Sequence, residues 1–266
     1  MKGDSPDPAP SISELLVNGE KVTGVGNLKC AVKDFWENVG GVNEENNVRK
    51  KVEMQFEKKN MCDIDKEISK DEIRRYVRKL KNGKASGADG IPYEMFKNGG
   101  EAVIDRICDL FKQIWVDEEV PKEWCESKVT LLHKGGHKNK KELKNYRPIA
   151  LANNISKIFC GIVNDRLKEV IEREKVMSEE QNGFRQDRRG EDNIYIVNEL
   201  IESFKKSGKK VFFAFIDIEK AYDRVDREIL CDVLVNCGVT EKIVKIVRSL
   251  YRNTKAKYRL GNIESD

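Results

Sequence analysis

The chain has 266 residues, 36% of them charged and 39% hydrophobic, and a net charge of +4. That length can bury one large core or two small ones, and the clustering of its apolar residues excludes a wholly disordered polymer. No apolar run is long enough to cross a bilayer, so the sequence carries no membrane partner. Charge is unevenly spread. From Pro121 to Ala150 there are eight Lys/Arg against three Glu, and from Asp71 to Lys84 six basic residues against two acidic ones. Such patches suit a polyanion as well as they suit solvated surface. Seven scattered cysteines with no CxxC pair fit free thiols in a reducing, intracellular setting.

The first ten residues carry Pro6, Pro8 and Pro10 and read as an unfolded linker. Leu15 to Thr23 predicts a short hairpin about Asn18-Gly19, the pair that suits a type I′ turn. Leu28, Val32, Phe35 and Trp36 lie at helical spacing, and Val42 to Asn60 is polar. Ser69-Lys-Asp-Glu72 has the form of a capping box, followed by Ile73, Tyr76, Val77 and Leu80 as an apolar stripe. Lys84 to Pro92 is a Gly-rich basic loop whose backbone N–H groups could approach phosphates. Glu101 to Trp115 reads as a helix and Lys128 to Leu132 as a strand. The basic loop from His133, then Tyr146 to Ile149, complete a hairpin able to close over a ligand. Further helices follow from the spacing of Ile155 to Val170, of Ile194 to Phe204, of Ile229 to Cys237 and of Ile243 to Leu250.

Between the second and third of these helices lies Val211-Phe-Phe-Ala-Phe-Ile-Asp217. Six apolar residues in a row predict a strand buried on both faces, with Asp217 at its emerging tip. A carboxylate on a rigid strand end is a platform for a divalent cation, although strand ends are also commonly polar without further purpose.

Four stretches then form an ordered set: Lys81-Asn-Gly-Lys-Ala-Ser-Gly-Ala-Asp-Gly-Ile-Pro92, Asn145-Tyr-Arg-Pro-Ile149, Gln181-Asn-Gly-Phe-Arg185 and Asp217-Ile-Glu-Lys-Ala-Tyr-Asp223. Together they resemble the reverse transcriptases of non-LTR (LINE-type) retrotransposons. The resemblance covers Ser69 to Asp266 well and residues 11–68 loosely. It implies an α+β right-hand polymerase fold, truncated to mainly helical fingers with a β-hairpin and the first strand and helices of the palm. Residues 1–68 would be a linker or connection, 69–207 the fingers and 208–266 a partial palm. The implied partners are an RNA template, a DNA primer and dNTP, in a protein of the nucleus or cytoplasm.

The resemblance also implies roles. Asp217 matches the first catalytic aspartate, a ligand of the two Mg²⁺ ions that such nucleotidyl transfer uses. The backbone of Ile218 and Glu219 would lie beside the triphosphate, and Tyr222 would exclude a ribose 2′-hydroxyl. Arg147 and Lys134 match residues that neutralise the triphosphate, Arg147 with a fork suited to phosphate. Gln181, Gly183, Phe184 and Arg185 would contact the template backbone, with Lys84 in the basic loop as a further nucleic-acid contact. One departure stands out. The Tyr/Phe-Ala-Asp-Asp motif that supplies the second acidic pair is nowhere in the sequence. The chain is therefore expected to be inactive alone. The alternatives are a noncatalytic nucleic-acid-binding remnant of a retroelement and a maturase- or telomerase-like relative.

Overall fold

The computed structural model describes residues 12–40, 61–218 and 220–265. The Pro-rich start up to residue 11, the polar stretch from Val42 to Asn60 and Glu219 lie outside them. Helix and sheet are mixed, as the α+β expectation has it.

The Asn18-Gly19 turn joins β1 (Glu14–Val17) to β2 (Glu20–Thr23). Both turn residues have positive φ, 52° and 87°, the backbone a type I′ turn requires. Helix α1 (Val25–Gly40) follows and lays Leu28, Val32 and Trp36 inward. Helix α2 (Lys70–Lys79) begins at the expected capping box. The Glu72 amide donates to Ser69 Oγ at 3.2 Å, and the Ser69 amide donates to the Glu72 carboxylate at 2.9 Å. Two otherwise unpaired donors are thereby satisfied.

Helices α3 (Tyr93–Asn98), α4 (Gly100–Asp117) and α5 (Asn154–Arg173) complete the main helical layer. Phe111 and Phe159, both fully buried, meet edge to face with ring centroids 5.1 Å apart. Trp115 and Trp124 close around the same ring of Phe159. Tyr76 presses on Gly161 of α5, where a Cβ would lie 1.8 Å from the tyrosine oxygen. Only glycine allows α2 and α5 to approach so closely.

Strands β3 (Glu126–His133) and β4 (Tyr146–Leu151) form the expected hairpin. After α6 (Gly190–Lys206), α7 (Arg227–Asn236) and α8 (Glu241–Tyr251), strand β5 (Lys255–Leu260) returns and pairs in parallel with β3. A short β6 (Ile263–Glu264) completes a four-stranded sheet in the order β4-β3-β5-β6. One face of that sheet packs on α1 and the first hairpin. Leu15, Leu28, Trp36, Val129, Leu131, Tyr146, Leu260 and Ile263 share this second core. The Trp36 and Tyr258 rings stack at 6.1 Å, and the Ile12 amide donates to Asn262 Oδ1 at 3.0 Å.

Leu15, Leu28, Val32 and Trp36 thus contribute to the second core, and α8 packs into the first. A correction concerns Val211 to Ile216. This run forms no strand, and Phe212 and Ile216 are 89% and 90% exposed. A strand is defined by its ladder, and no described strand pairs with it. Apart from half-buried Val211, and the Phe213 and Phe215 rings that stack on each other at 6.3 Å, its apolar side chains are left in solvent. The expected core face of α7 is likewise thin: of its residues only Cys231 is buried, and Ile229 is exposed. No helix among the described residues is long and apolar enough to cross a membrane.

Candidate functional site

The turn at Gln181 to Arg185 is held from below. The Arg185 guanidinium forks onto Glu172 of α5, with Nε and Nη2 each 2.9 Å from a carboxylate oxygen. Its Nη1 donates to the Ser178 carbonyl at 2.9 Å. The side chain is only 8% exposed. Arg185 holds the Glu172 carboxyl below the usual carboxylate range. Arg185, expected as a template contact, thus has its fork committed to the protein. Gln181 also turns inward on the loop, donating to the Gly183 carbonyl at 3.1 Å. Arg188 pairs with Glu179, and buried Asn182 donates to Asn193 of α6 at 2.6 Å.

This bracing drives Phe184 outward. Its φ is 64°, in the left-handed region, and its ring is 84% exposed. There it meets Tyr222, itself exposed, edge on: the centroids are 6.4 Å apart and the planes cross at 85°. Two stretches 38 positions apart in the chain, each singled out from sequence, come into contact through their aromatic rings.

Three charged side chains near Tyr222 interact with groups elsewhere. The Lys220 ammonium lies 5.6 Å from the Phe35 ring centroid of α1, an arrangement that favours a cation. Asp223 lies close enough to Tyr258 to push its phenol up, after burial, which is the larger cause. Asp226 caps α7, accepting from the Glu228 and Ile229 amides at 2.9 and 3.1 Å. Asp217 and Ile218 are both exposed. Among the described residues no group of three or more His, Cys, Asp or Glu could hold a metal ion.

The hairpin residues sit elsewhere. Lys134 and Arg147 share one face of the β3–β4 hairpin, since Arg147 is opposite Leu132 and the Lys134 amide donates to the Asn145 carbonyl at 2.8 Å. Lys134 Nζ donates to the Lys144 carbonyl at 2.6 Å, while Arg147 is exposed. Lys84 is exposed in a loop that is pinned on both sides. The Gly83 amide donates to Glu94 at 2.6 Å, and the Asp89 amide to buried Asn153 Oδ1 at 3.3 Å. A Cβ on Gly87 would lie 2.5 Å from Asn153, so the loop lies flat on the start of α5. Sequence reasoning passed over Glu172 and Asn153. Neither belongs to a motif, and their value lies in what they hold.

Residues 137–264 match the family model for "Reverse transcriptase (RNA-dependent DNA polymerase)". That span, just under half of the chain, is a reverse transcriptase domain. Its relatives narrow the family. The chain is 30% identical over 154 residues to the probable RNA-directed DNA polymerase from transposon X-element of Drosophila melanogaster, covering 58% of this chain and 17% of that protein. It is 25% identical over 159 residues to the RNA-directed DNA polymerase from mobile element jockey of the same fly, covering 59% of this chain and 17% of that protein. Against the 149 kDa protein of transposon TX1 of Xenopus laevis identity is 24% over 194 residues, 73% of this chain and 14% of the relative. The chain thus carries a reverse transcriptase domain whose relatives include non-LTR retrotransposon polymerases, and it spans less than a fifth of the length of these three.

Proposed function

We propose that this chain supplies the fingers and the first part of the palm of an RNA-directed DNA polymerase. The observation that carries the reading is the Phe184–Tyr222 contact, which joins the template-side turn to the stretch that follows Asp217. In this reading Tyr222 stands at the sugar of an incoming dNTP, and its ring is held by Phe184 at the edge. The backbone at Ile218 and Glu219 flanks the triphosphate. Arg147 and Lys134, from one face of the hairpin, offset its charge. Gln181 and Arg185 act as positioning residues: they shape the turn so that Gly183 and Phe184 face the template. Lys84 adds a contact from the pinned loop.

Reverse transcriptases use divalent metal ions. The residues described do not by themselves fit a pair of Mg²⁺ ions, because Asp217 does not form part of a larger donor group. Two ions 3.5–4 Å apart need more than about one carboxylate between them. Asp217 is accordingly one ligand of a site that further acidic residues would complete, and this chain alone binds a primer–template without extending it.

Primer extension tests this. The purified chain, given RNA template, DNA primer, dNTP and Mg²⁺, is expected to bind and not to extend. Extension by the chain alone would overturn the incomplete-site reading. In the whole element's polypeptide, Asp217→Asn is expected to lower extension by at least about 100-fold, the scale on which removing a transition-state charge stabiliser acts. Unchanged extension there would remove Asp217 from the site. The exposure of Asp217 on an unpaired run also favours a second reading, a noncatalytic binding remnant. Its mark would be whole-element extension indifferent to Asp217→Asn, with nucleic-acid binding intact.

A further inference from the structure

Tyr222 sits at the middle of a tight turn, which the Arg224 amide closes by donating to the Lys220 carbonyl at 3.1 Å. Lys220 has a φ of 54°, in the left-handed region that residues other than glycine seldom adopt unless their surroundings impose it. The turn itself buries little: Tyr222 and Asp223 are exposed, and Lys220 is half-buried. Its two flanks reach toward the second core. Before Tyr222, the Lys220 ammonium lies over the ring of Phe35 of α1. Phe35 meets Trp36 edge to face, with centroids 5.1 Å apart and planes crossing at 83°. Trp36 is buried and stacks on Tyr258. Tyr258 is fastened in β5: its amide donates to the Ser265 hydroxyl at 2.9 Å, and its carbonyl accepts from the Ser265 amide at 2.8 Å. After Tyr222, the path returns to the same ring, because burial first and then the nearby Asp223 and Glu37 carboxylates push the Tyr258 phenol up. Lys220 and Asp223 are thus joined through three rings of the second core, with Tyr222 between them in the chain.

We propose that Phe35, Trp36, Tyr258 and Lys220 are positioning residues for nucleotide choice: they hold the turn so that the Tyr222 ring stands where it meets the sugar. The inference rests on the reading that Tyr222 faces an incoming dNTP. Exclusion of a 2′-hydroxyl by a ring is steric, so it is only as strict as the ring's support. Phe184 touches the Tyr222 ring at one edge, but Phe184 is itself exposed and offers no buried base. Trp36 and Tyr258 do, since both belong to the second core. Helix α1 thereby gains a part in substrate selection, through residues that lie in none of the four motif stretches.

The test is the ratio of kcat/KM for dNTP to that for rNTP, measured by primer extension with the whole element's polypeptide. This ratio does not depend on how much of the protein is folded, so it separates selection from stability. Phe35→Leu keeps an apolar side chain against the second core and removes the ring face under Lys220. The ratio is expected to fall by about 2–5-fold, the weight of one half-exposed cation–π contact, chiefly through a lower KM for rNTP. Phe35→Trp, which supplies the ring face that attracts a cation best, is expected to hold the ratio at or above that of the wild type. Tyr222→Ala should lower the ratio further than Phe35→Leu does. Adding Phe35→Leu to Tyr222→Ala should then change nothing more, because a residue that acts through another has no effect once the other is gone. A ratio unmoved by Phe35→Leu, or a fall that persists in full beside Tyr222→Ala, would overturn the proposal while leaving the reading of Tyr222 in place. A ratio unmoved by Tyr222→Ala, or a polypeptide that extends with neither substrate, would overturn both.

Discussion

Helices α5 and α6 are similar in length and both look amphipathic in sequence, yet they have opposite fates. In α5, Ile158, Phe159, Ile162, Val163 and Val170 are buried. In α6 no residue is, and Ile194, Tyr195 and Leu200 face outward. Periodicity says which face of a helix is apolar. Whether a partner exists to cover that face depends on residues far away in the chain. The same contrast separates β3, held on both edges, from the run Val211 to Ile216, held on neither.

The comparison breaks most sharply at Phe159. Replacing this fully buried ring, which touches Phe111, Trp115 and Trp124, by alanine should cost about 3–5 kcal/mol in denaturant unfolding. A loss under about 1 kcal/mol would mean that the helical core is far looser than its packing implies.

Glu72 sharpens the comparison through pH. Burial pushes its carboxyl up, but the Arg166 guanidinium and hydrogen bonds from Ser69 outweigh that and hold it below the usual range. Arg166 bonds it twice at 2.8 Å and also donates to the carbonyls of Ile64, Lys66 and Glu67, tying the connection before α2 to α5. Because the folded value is depressed, the stabilisation is complete above the unfolded carboxylate value, about 4.3, and is lost as pH falls through the folded one. Glu72→Gln should therefore cost about 2 kcal/mol at neutral pH, with the gap from wild type closing in acid. Thermal melts over a pH series would detect it, and a gap that stays constant down to strong acid would exclude the linkage.

The smallest effect is expected on the exposed run. Phe215→Ser should change stability by less than about 0.5 kcal/mol, because the side chain is already in water. A loss comparable to that of Phe159→Ala would show that the run packs in solution.

What could be read from the sequence was local. The Ser69 capping box and the Asn18-Gly19 turn each depend on residues within four positions, and both form as expected. The failure at Val211 to Ile216 has a non-local cause: the apolar run has strand propensity, but propensity supplies no ladder. The parallel pairing of β3 with β5 carries no signal in either strand. Within the site, Phe184 and Tyr222 were each legible as motif residues, but their contact was not. Nor was the commitment of Arg185 to Glu172, since a basic residue in a motif looks the same whether it points to solvent or into the protein.

The reach of the second core bears on how the chain comes to be folded. Leu15 and Trp36 wait for Leu260 and Ile263, more than two hundred positions later. On a ribosome adding about 5–20 residues each second, the first hairpin and α1 emerge many seconds before the strand that completes their shelter. The helical core can begin to assemble in that interval from α2, α4 and α5, while the sheet must close last and slowly, as long-separated pairings do. Apolar residues of α1 stay incompletely covered until then, so a chaperone that holds the nascent N-terminal segment should raise the yield of native protein more than one that acts after release.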